Sequence, residues 1–369
     1  MGLIRLLLAI SVITAHSNSI FGLNFIGGQI AVEIFFMISG FYMALILTEK
    51  YNKKSDYKLF VSNRFLKIYP TYWFILILCF IYRLIHFSYN PVSPDILGFF
   101  NPTYYLNIFS FLFLLIPNFT IFGLDLNLFF GLNQINGSLF FTTNFSQFSP
   151  ALYNFNLIVQ AWTLSLELMF YLLAPFLNLL KNKSLLLIMA LSLGLRLFLY
   201  SRGLNHDPWN YRFFPTELIF FLSGIIMYRF YQYIKTKDFK KISIFCFFFY
   251  FSFLFYYQFL PHERTKQLII FLFSFIFIPF IFNLFKNNKI DRFIGELSFP
   301  VYLSHFLIID IFTHFTNLPH QFLGLSTTVV SIIFSILILK IIIDPINNFR
   351  QSRIRKNIAF NSEPSPFLN

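Results

Sequence analysis

Charged side chains are scarce in this sequence. They make up 12% of the 369 residues, whereas soluble domains average about 25%. Apolar residues reach 57% of the chain, and the mean hydropathy is +0.67. A chain with so little charge and so much apolar surface is not expected to fold as a water-soluble globule, and its composition favours a membrane protein.

Cysteine is nearly absent as well. Cys79 and Cys246 both lie within apolar runs, and neither has a neighbouring Cys or His. The sequence therefore predicts neither a disulfide framework nor a metal site. It also lacks the HExxH, GxSxG, Walker and GxGxxG motifs, which leaves zinc peptidases, serine hydrolases, nucleotidases and dinucleotide enzymes without support.

Long apolar runs are the main feature that remains. A helix needs about 20 apolar residues to cross a hydrocarbon core about 30 Å thick, and ten runs approach that length. They lie near residues 3–20, 28–48, 69–87, 158–180, 184–200, 214–234, 242–260, 267–285, 293–314 and 325–345. We therefore predict an all-α fold, a polytopic membrane helix bundle of about ten transmembrane helices over residues 1–349, with a basic cytoplasmic tail over 350–369.

The excess of positive charge has a topological explanation. The chain has 28 Lys and Arg against 15 Asp and Glu, which gives a net charge of +13. With both termini in the cytoplasm, 21 of the basic residues fall on the inner side and 4 in outer loops. This is the positive-inside pattern, so the charge indicates orientation and contact with membrane lipid rather than nucleic-acid binding.

Two segments depart from the pattern of spans and short loops. The outer loop over residues 87–157 has no Lys or Arg and contains an apolar run at 106–116 that is too short to span. We predict that this run is re-entrant or interfacial, because one more span would invert every later loop. The tail after residue 350 is predicted to be disordered and attracted to anionic lipid.

Ionisable side chains inside predicted spans are functional-site candidates, because each is costly there without a partner or a cavity. Arg5 and His16 are eleven residues apart in the first span, which places them on one helix face roughly 16 Å apart. Two other interpretations remain open: Arg5 as a topology anchor and His16 as an interhelical hydrogen-bonding group. The other candidates are Glu33, Glu167, Glu217, His305 and Asp310.

A basic segment precedes the third span. Arg64 and Lys67 are three residues apart and share a helix face. This arrangement suits a phosphate-rich ligand such as the nucleotide end of coenzyme A. Attraction to anionic lipid explains the same charges equally well.

Five ordered motifs resemble the membrane acyltransferase family 3, whose bacterial members O-acylate cell-surface sugars. The motifs are Arg5 with His16, the segment 28–41 with Glu33 and Ser39, the segment 64–70 with Arg64 and Lys67, the segment 162–175 with Glu167, and the segment 295–305 with Tyr302 and His305. Such proteins have ten spans and use a cytoplasmic acyl-CoA for an acceptor outside, and the bacterial members lie in the inner (plasma) membrane. The chain departs from the family at Glu33, where Asp is common, and at Lys67, where Arg is common.

The resemblance implies that His16 is the catalytic residue. A neutral imidazole can act as general base towards a sugar hydroxyl, and a carboxylate beside it would hold its tautomer. We expect Glu167 to be that carboxylate and Glu33 to be the second candidate.

The resemblance also implies a donor site and a path for the acyl group. The donor is expected to be acetyl-CoA, with no metal required, and the acceptor is expected to be a cell-surface glycan or lipid-linked sugar such as a polysaccharide or lipopolysaccharide of the cell envelope. The residues expected to hold the donor are Arg5, Arg64 and Lys67. Those expected to line the path are Ser39, Tyr302 and His305.

A membrane transporter or a flippase of a lipid-linked glycan is the alternative, because such proteins also place charged residues inside a bundle. The sequence has no repeated halves and no paired Gly- or Pro-broken spans, so the pattern favours the acyltransferase.

Overall fold

A computed structural model describes residues 1–51, 53–89, 99 and 103–362. Helices dominate it. The α-helices are α1 (Gly2–His16), α2 (Gly28–Glu49), α3 (Tyr57–Tyr89), α4 (Ile108–Thr120), α5 (Trp162–Leu179), α6 (Asn182–Ser201), α7 (Phe214–Ile234), α8 (Lys240–Tyr256), α9 (Glu263–Phe285), α10 (Lys289–Phe315), α11 (Leu323–Ile338) and α12 (Asp344–Ser362). Two short strands, β1 (Phe130–Leu132) and β2 (Leu139–Phe141), pair antiparallel, with Phe130 opposite Phe141.

The predicted all-α membrane bundle is confirmed, and each of the ten predicted spans coincides with a helix. Within the described residues, eight helical segments are long and apolar enough to cross a membrane. They are Gly28–Glu49, Tyr57–Tyr89, Val159–Leu179, Asn182–Ser201, Lys240–Phe259, Glu263–Phe285, Lys289–Phe315 and His320–Asn357. The chain is therefore an integral membrane protein.

The first helix is shorter than the predicted span. It has 15 residues and ends at His16, whereas the apolar run extends to residue 20. Its first turn is held by Asp291 of α10, whose Oδ2 accepts hydrogen bonds from the Met1 ammonium (2.7 Å) and the Gly2 N–H (2.8 Å). Oδ1 accepts one from the Leu3 N–H at 3.1 Å. These bonds satisfy amide groups that a helix N-terminus otherwise leaves unpaired, so α1 is fixed against α10.

The centre of the bundle is the packing of α2 on α7. Gly40 lies against the Phe221 carbonyl, and Gly224 lies against the Met37 carbonyl. A Cβ atom at either glycine would collide with backbone that cannot move aside. The two glycines therefore let the helix axes approach closely, as small residues do in membrane bundles.

The described part of the long loop between α3 and α5 folds into a layer that contains α4, β1 and β2. Its helix α4 has 13 residues, about 20 Å of helix, which is too short to cross the membrane. Asn118 is buried and ties the layer together: its Nδ2 donates to the carbonyls of Leu114 (2.9 Å) and Phe155 (3.0 Å), and its Oδ1 accepts from the Leu157 N–H (2.7 Å). The re-entrant or interfacial position of this apolar run stays a prediction.

The C-terminal segment differs from the prediction. A π-helical turn, Leu339–Ile343, joins α11 to α12, and α12 continues to Ser362. The predicted disorder after residue 350 is therefore wrong up to residue 362, and residues 363–369 lie outside the described residues. The physical reason is docking: Ile354 is buried, and the Arg353 guanidinium donates to Asn63 Oδ1 (2.8 Å) and Ser62 Oγ (2.9 Å) of α3.

Candidate active site

Two cavities lie at opposite ends of α1 and α10. The larger, here called the Arg64 cavity, has a volume of about 960 Å³ and reaches the first turns of both helices. Eight basic and five acidic side chains line it. They are Arg5, Lys50, Arg64, Lys67, Lys286, Lys289, Arg292 and Arg350, with Glu49, Glu167, Asp291, Glu296 and Asp344.

The three residues predicted to hold a donor all line the Arg64 cavity. Arg64 is 7% exposed, its guanidinium lies 6.0 Å from the centroid of the Phe60 ring, and its Nε has no hydrogen-bond partner among the described residues. Arg5 lies 5.8 Å from the Tyr42 ring centroid. Lys67 completes the group on the next turn of α3. Three cations from two helices therefore share one cavity.

Glu167 lies in the same cavity rather than beside His16. Its Oε2 accepts a hydrogen bond from the Tyr171 hydroxyl at 3.0 Å, and that hydroxyl in turn accepts one from Ser39 Oγ at 3.3 Å. Glu167 and Ser39 line the Arg64 cavity, whereas His16 lines the other one. The structure therefore does not place Glu167 beside His16, since α5 turns its carboxylate towards the cations of the Arg64 cavity.

The second cavity, here called the His16 cavity, has a volume of about 490 Å³ and reaches the last turn of α1. Two arginine–aspartate pairs line it. Arg212 Nε lies 2.8 Å from Asp207 Oδ1, and Arg83 Nη2 lies 3.3 Å from Asp310 Oδ2. Burial raises the pKa of the Asp207 carboxyl above its usual range, although the Arg212 guanidinium opposes this shift.

Aromatic rings hold Arg212 in place. Its guanidinium lies 4.4 Å from the centroid of the Trp162 ring and 4.7 Å from that of Tyr211. Such cation–π contacts restrict the side chain without neutralising it. Arg212 therefore presents a fixed positive group to the cavity that contains His16.

His16 is exposed to its cavity and packs against two rings of α10. The His305 ring is stacked on it with centroids 5.7 Å apart, and the Phe306 centroid is 4.6 Å away. His305 is fully buried, and its Nδ1 lies 2.6 Å from the Tyr302 carbonyl. Because a carbonyl only accepts, Nδ1 carries the proton, and His305 Nε2 has no hydrogen-bond partner in the described part of the chain.

A thin polar wall separates the two cavities. Tyr302 lines the Arg64 cavity, and Gln160 lines the His16 cavity. The Tyr302 hydroxyl donates to the Gln160 carbonyl at 3.1 Å and lies 3.0 Å from Thr163 Oγ1. Gln160 Nε2 donates to the carbonyls of Leu303 (2.7 Å) and Tyr302 (3.2 Å). Tyr302, one of the predicted path residues, thus lies in this wall, and His305, another, is stacked on His16.

Comparison with known proteins identifies the family of this chain. A family model described as an acyltransferase domain matches residues 1–344. The chain belongs to acyltransferase family 3. No curated protein and no solved structure matches it.

Glu33 of this acyltransferase lies in neither cavity. It forms a buried cluster with Arg196 of α6 and Glu217 of α7, in which Arg196 Nη2 lies 2.7 Å from Glu33 Oε1 and 3.2 Å from Glu217 Oε1. Gln29 Nε2 donates to Glu33 at 3.5 Å. The structure therefore does not place Glu33 beside His16 either, because Glu33 binds α2 to α6 instead.

The sequence analysis of this acyltransferase missed several residues of both cavities. Arg212 is one of only four basic residues in the predicted outer loops, and that rarity was a usable signal. Asp207 lies five residues before it in the same loop. Gln160 precedes the motif that begins at Trp162, and nothing in its local sequence marks it. The polar, basic sequence around Arg350 predicts a disordered tail, so no local pattern indicates its place in the Arg64 cavity.

Proposed function

We propose that this acyltransferase transfers an acyl group, with acetyl expected, from acyl-CoA in the Arg64 cavity to a carbohydrate hydroxyl in the His16 cavity. The donor would come from the cytoplasm, and the acceptor would belong to a glycan or lipid-linked sugar outside a bacterial inner membrane. The observation that carries the proposal is the pair of cavities at opposite ends of α1, with Tyr302 and Thr163 of one cavity hydrogen-bonded to each other and Tyr302 also to Gln160 of the other.

The Arg64 cavity fits the donor in charge and size. Coenzyme A has several phosphate charges at one end, and when bound it supplies a thioester as the reactive group. The cavity has more basic than acidic side chains, and Arg64 Nε is buried without a partner among the described residues. Its volume of about 960 Å³ lies near the upper limit of usual ligand sites, about 1,000 Å³. Arg5, Arg64 and Lys67 would bind the phosphates.

His16 has the exposure that a general base requires. In the proposed reaction its imidazole takes the proton from the acceptor hydroxyl while the hydroxyl oxygen attacks the acyl carbon. The C–S bond of the thioester then breaks, and coenzyme A leaves as a thiolate that takes up the proton, so the products are the ester and free coenzyme A. Arg212 lines the same cavity as a fixed positive group and would stabilise the negative charge that develops on the carbonyl oxygen. His305 would hold the His16 ring in place by stacking.

The His16 cavity has the groups that carbohydrates bind. Two arginine–aspartate pairs and the side chain of Gln160 offer both donors and acceptors, and the rings of Tyr82 and Tyr153 line the same space. Each cation is already paired with a carboxylate. A neutral polyhydroxylated acceptor therefore suits the cavity better than a multiply charged one.

The test is release of free coenzyme A from acetyl-CoA by the purified protein, with a crude surface-glycan extract as acceptor. We expect release that depends on the extract and is lost in His16→Ala. His320→Ala is a matched control, because His320 is an exposed histidine that lines neither cavity. If the wild type releases no coenzyme A with any of several acyl donors and extracts, the donor proposal is wrong. Full activity of His16→Ala would refute the role of His16.

A further inference from the structure

Arg350 is a buried cation outside the segment that the family model matches, which ends at residue 344. It lines the Arg64 cavity and is 8% exposed. Its Nη1 donates to the neutral Asn347 Oδ1 at 2.8 Å, and its Nε has no hydrogen-bond partner in the described ranges. No carboxylate of those ranges lies within ion-pair distance of it. Buried arginines are normally paired with an anion.

The fold brings Arg350 to Arg64 by a specific route. The π-helical turn Leu339–Ile343 alters the register between α11 and α12, as such turns often do near functional sites. Arg353 then binds Asn63 and Ser62, the residues directly before Arg64. Arg350 lies one turn before Arg353 on the same face of α12. The contacts of Arg353 therefore fix the position from which Arg350 enters the cavity.

The resulting group of charges is not balanced. Arg64 and Arg350 are both buried, both have an unpaired Nε, and Lys67 lines the same cavity. Glu296 is a nearby carboxylate that acts electrostatically on both arginines. Glu167 also acts on Arg64. Two carboxylates against three cations leave this group with a net positive charge, and buried positive charge is costly without an anion.

We propose that Arg350 and Arg64 together form a binding site for the phosphate groups of the acyl donor, so that α12 is part of the donor site. The inference rests on the proposed acyl-CoA donor. Two planar guanidinium groups can each bind a phosphate through paired N–H groups, whereas Lys67 supplies only a point charge. Arg350 thus provides the second guanidinium that position 67 lacks.

The experiment measures equilibrium binding of coenzyme A and of inorganic pyrophosphate to the full chain in nanodiscs, for wild type, Arg350→Gln, Arg350→Lys and Arg355→Gln. Arg355 is the matched control, since it is exposed on the same helix. We expect Arg350→Gln to weaken both ligands about tenfold or more, with Arg350→Lys between it and the wild type. Arg355→Gln should bind as the wild type does. Arg350→Lys keeps the positive charge, so it tests the site even if Arg350→Gln folds poorly.

Other outcomes separate this inference from the proposed function and from a lipid site. If Arg350→Gln binds coenzyme A as tightly as the wild type, the inference is wrong and the donor proposal stands. If pyrophosphate binds through Arg350 but coenzyme A does not bind at all, the anion site stands and the donor proposal falls. The nanodiscs are made with phosphatidylcholine alone and with added phosphatidylglycerol. An effect of Arg350→Gln on phosphatidylglycerol retention, with unchanged binding of both soluble anions, would assign Arg350 to a lipid headgroup and overturn the inference.

Discussion

The arginines of the two cavities of this acyltransferase differ in whether a carboxylate lies beside them. In the His16 cavity, Arg83 and Arg212 each lie beside an aspartate. In the Arg64 cavity, Arg64 and Arg350 have no carboxylate within ion-pair distance among the described residues. Paired charges offer donors and acceptors to a neutral ligand, whereas unpaired buried cations need an anion. The difference gives the two cavities of one bundle distinct chemical properties.

Removing the imidazole should have the largest effect and should fall on one cavity only. We expect His16→Ala to lower kcat for transfer by about 10²- to 10⁴-fold, the usual contribution of a general base. Binding of coenzyme A should stay at the wild-type level, because His16 does not line the Arg64 cavity. Steady-state transfer and equilibrium binding on the same preparation check both parts. A parallel loss of coenzyme A binding would show that the cavities are not independent.

Breaking one ion pair of the His16 cavity should have a smaller effect. Arg212→Gln leaves Asp207 without its cation and removes a group held by Trp162, so the KM for the acceptor should rise about tenfold. The kcat should also fall, by less than in His16→Ala, because the charge that develops on the carbonyl oxygen loses a stabilising group. The KM for the acyl donor should not change. Titration of each substrate against a saturating level of the other measures the two constants. An equal rise in both would contradict the assignment of Arg212 to the acceptor side.

Removing a cation from the Arg64 cavity should affect the KM for the donor rather than the KM for the acceptor. We expect Lys67→Ala to raise the KM for the donor about threefold to tenfold, with a smaller loss at saturating acyl-CoA. Added salt should weaken donor binding less in the variant than in the wild type, because one fewer charge is screened. Rates measured over a range of acyl-CoA and salt concentrations provide the check. An unchanged donor dependence would remove Lys67 from the donor site.

The smallest effect is expected at Glu33, which lines neither cavity. In Glu33→Gln, Arg196 keeps Glu217 as its charged partner, so kcat and both KM values should stay close to those of the wild type. Kinetic analysis beside a thermal unfolding curve separates a catalytic effect from a change in stability. A kcat as low as that of His16→Ala would return the orienting role to Glu33.

The sequence predicted the depth of residues in the bundle better than the direction in which their side chains point. Apolar runs locate helices because crossing the membrane demands a fixed length. Arg5, Arg64 and Lys67 line one cavity, whereas Glu167 and Glu33 do not lie beside His16. Which face of α5 or α2 meets which neighbour depends on packing such as that of Gly40 against Phe221, and this cannot be read from one helix at a time.

The prediction of a disordered C-terminal segment was wrong for a related reason. Its composition is polar and basic, which is typical of a disordered tail. The helix forms because Arg353 and Ile354 find partners on α3, and those partners are about 290 residues away in the chain. Long-range docking of this kind leaves no local pattern.

The first helix fixes the distance between Arg5 and His16. Asp291 fixes its beginning, and Arg5 and His16 project from the same unbroken run of backbone hydrogen bonds. The helix is therefore a spacer of fixed length, roughly 16 Å between these two residues. No change of side-chain rotamer elsewhere can shorten it. A donor whose phosphates are bound at Arg5 would have to place its acyl group roughly 16 Å away to reach His16, so the length of α1 sets a lower limit on the length of that donor.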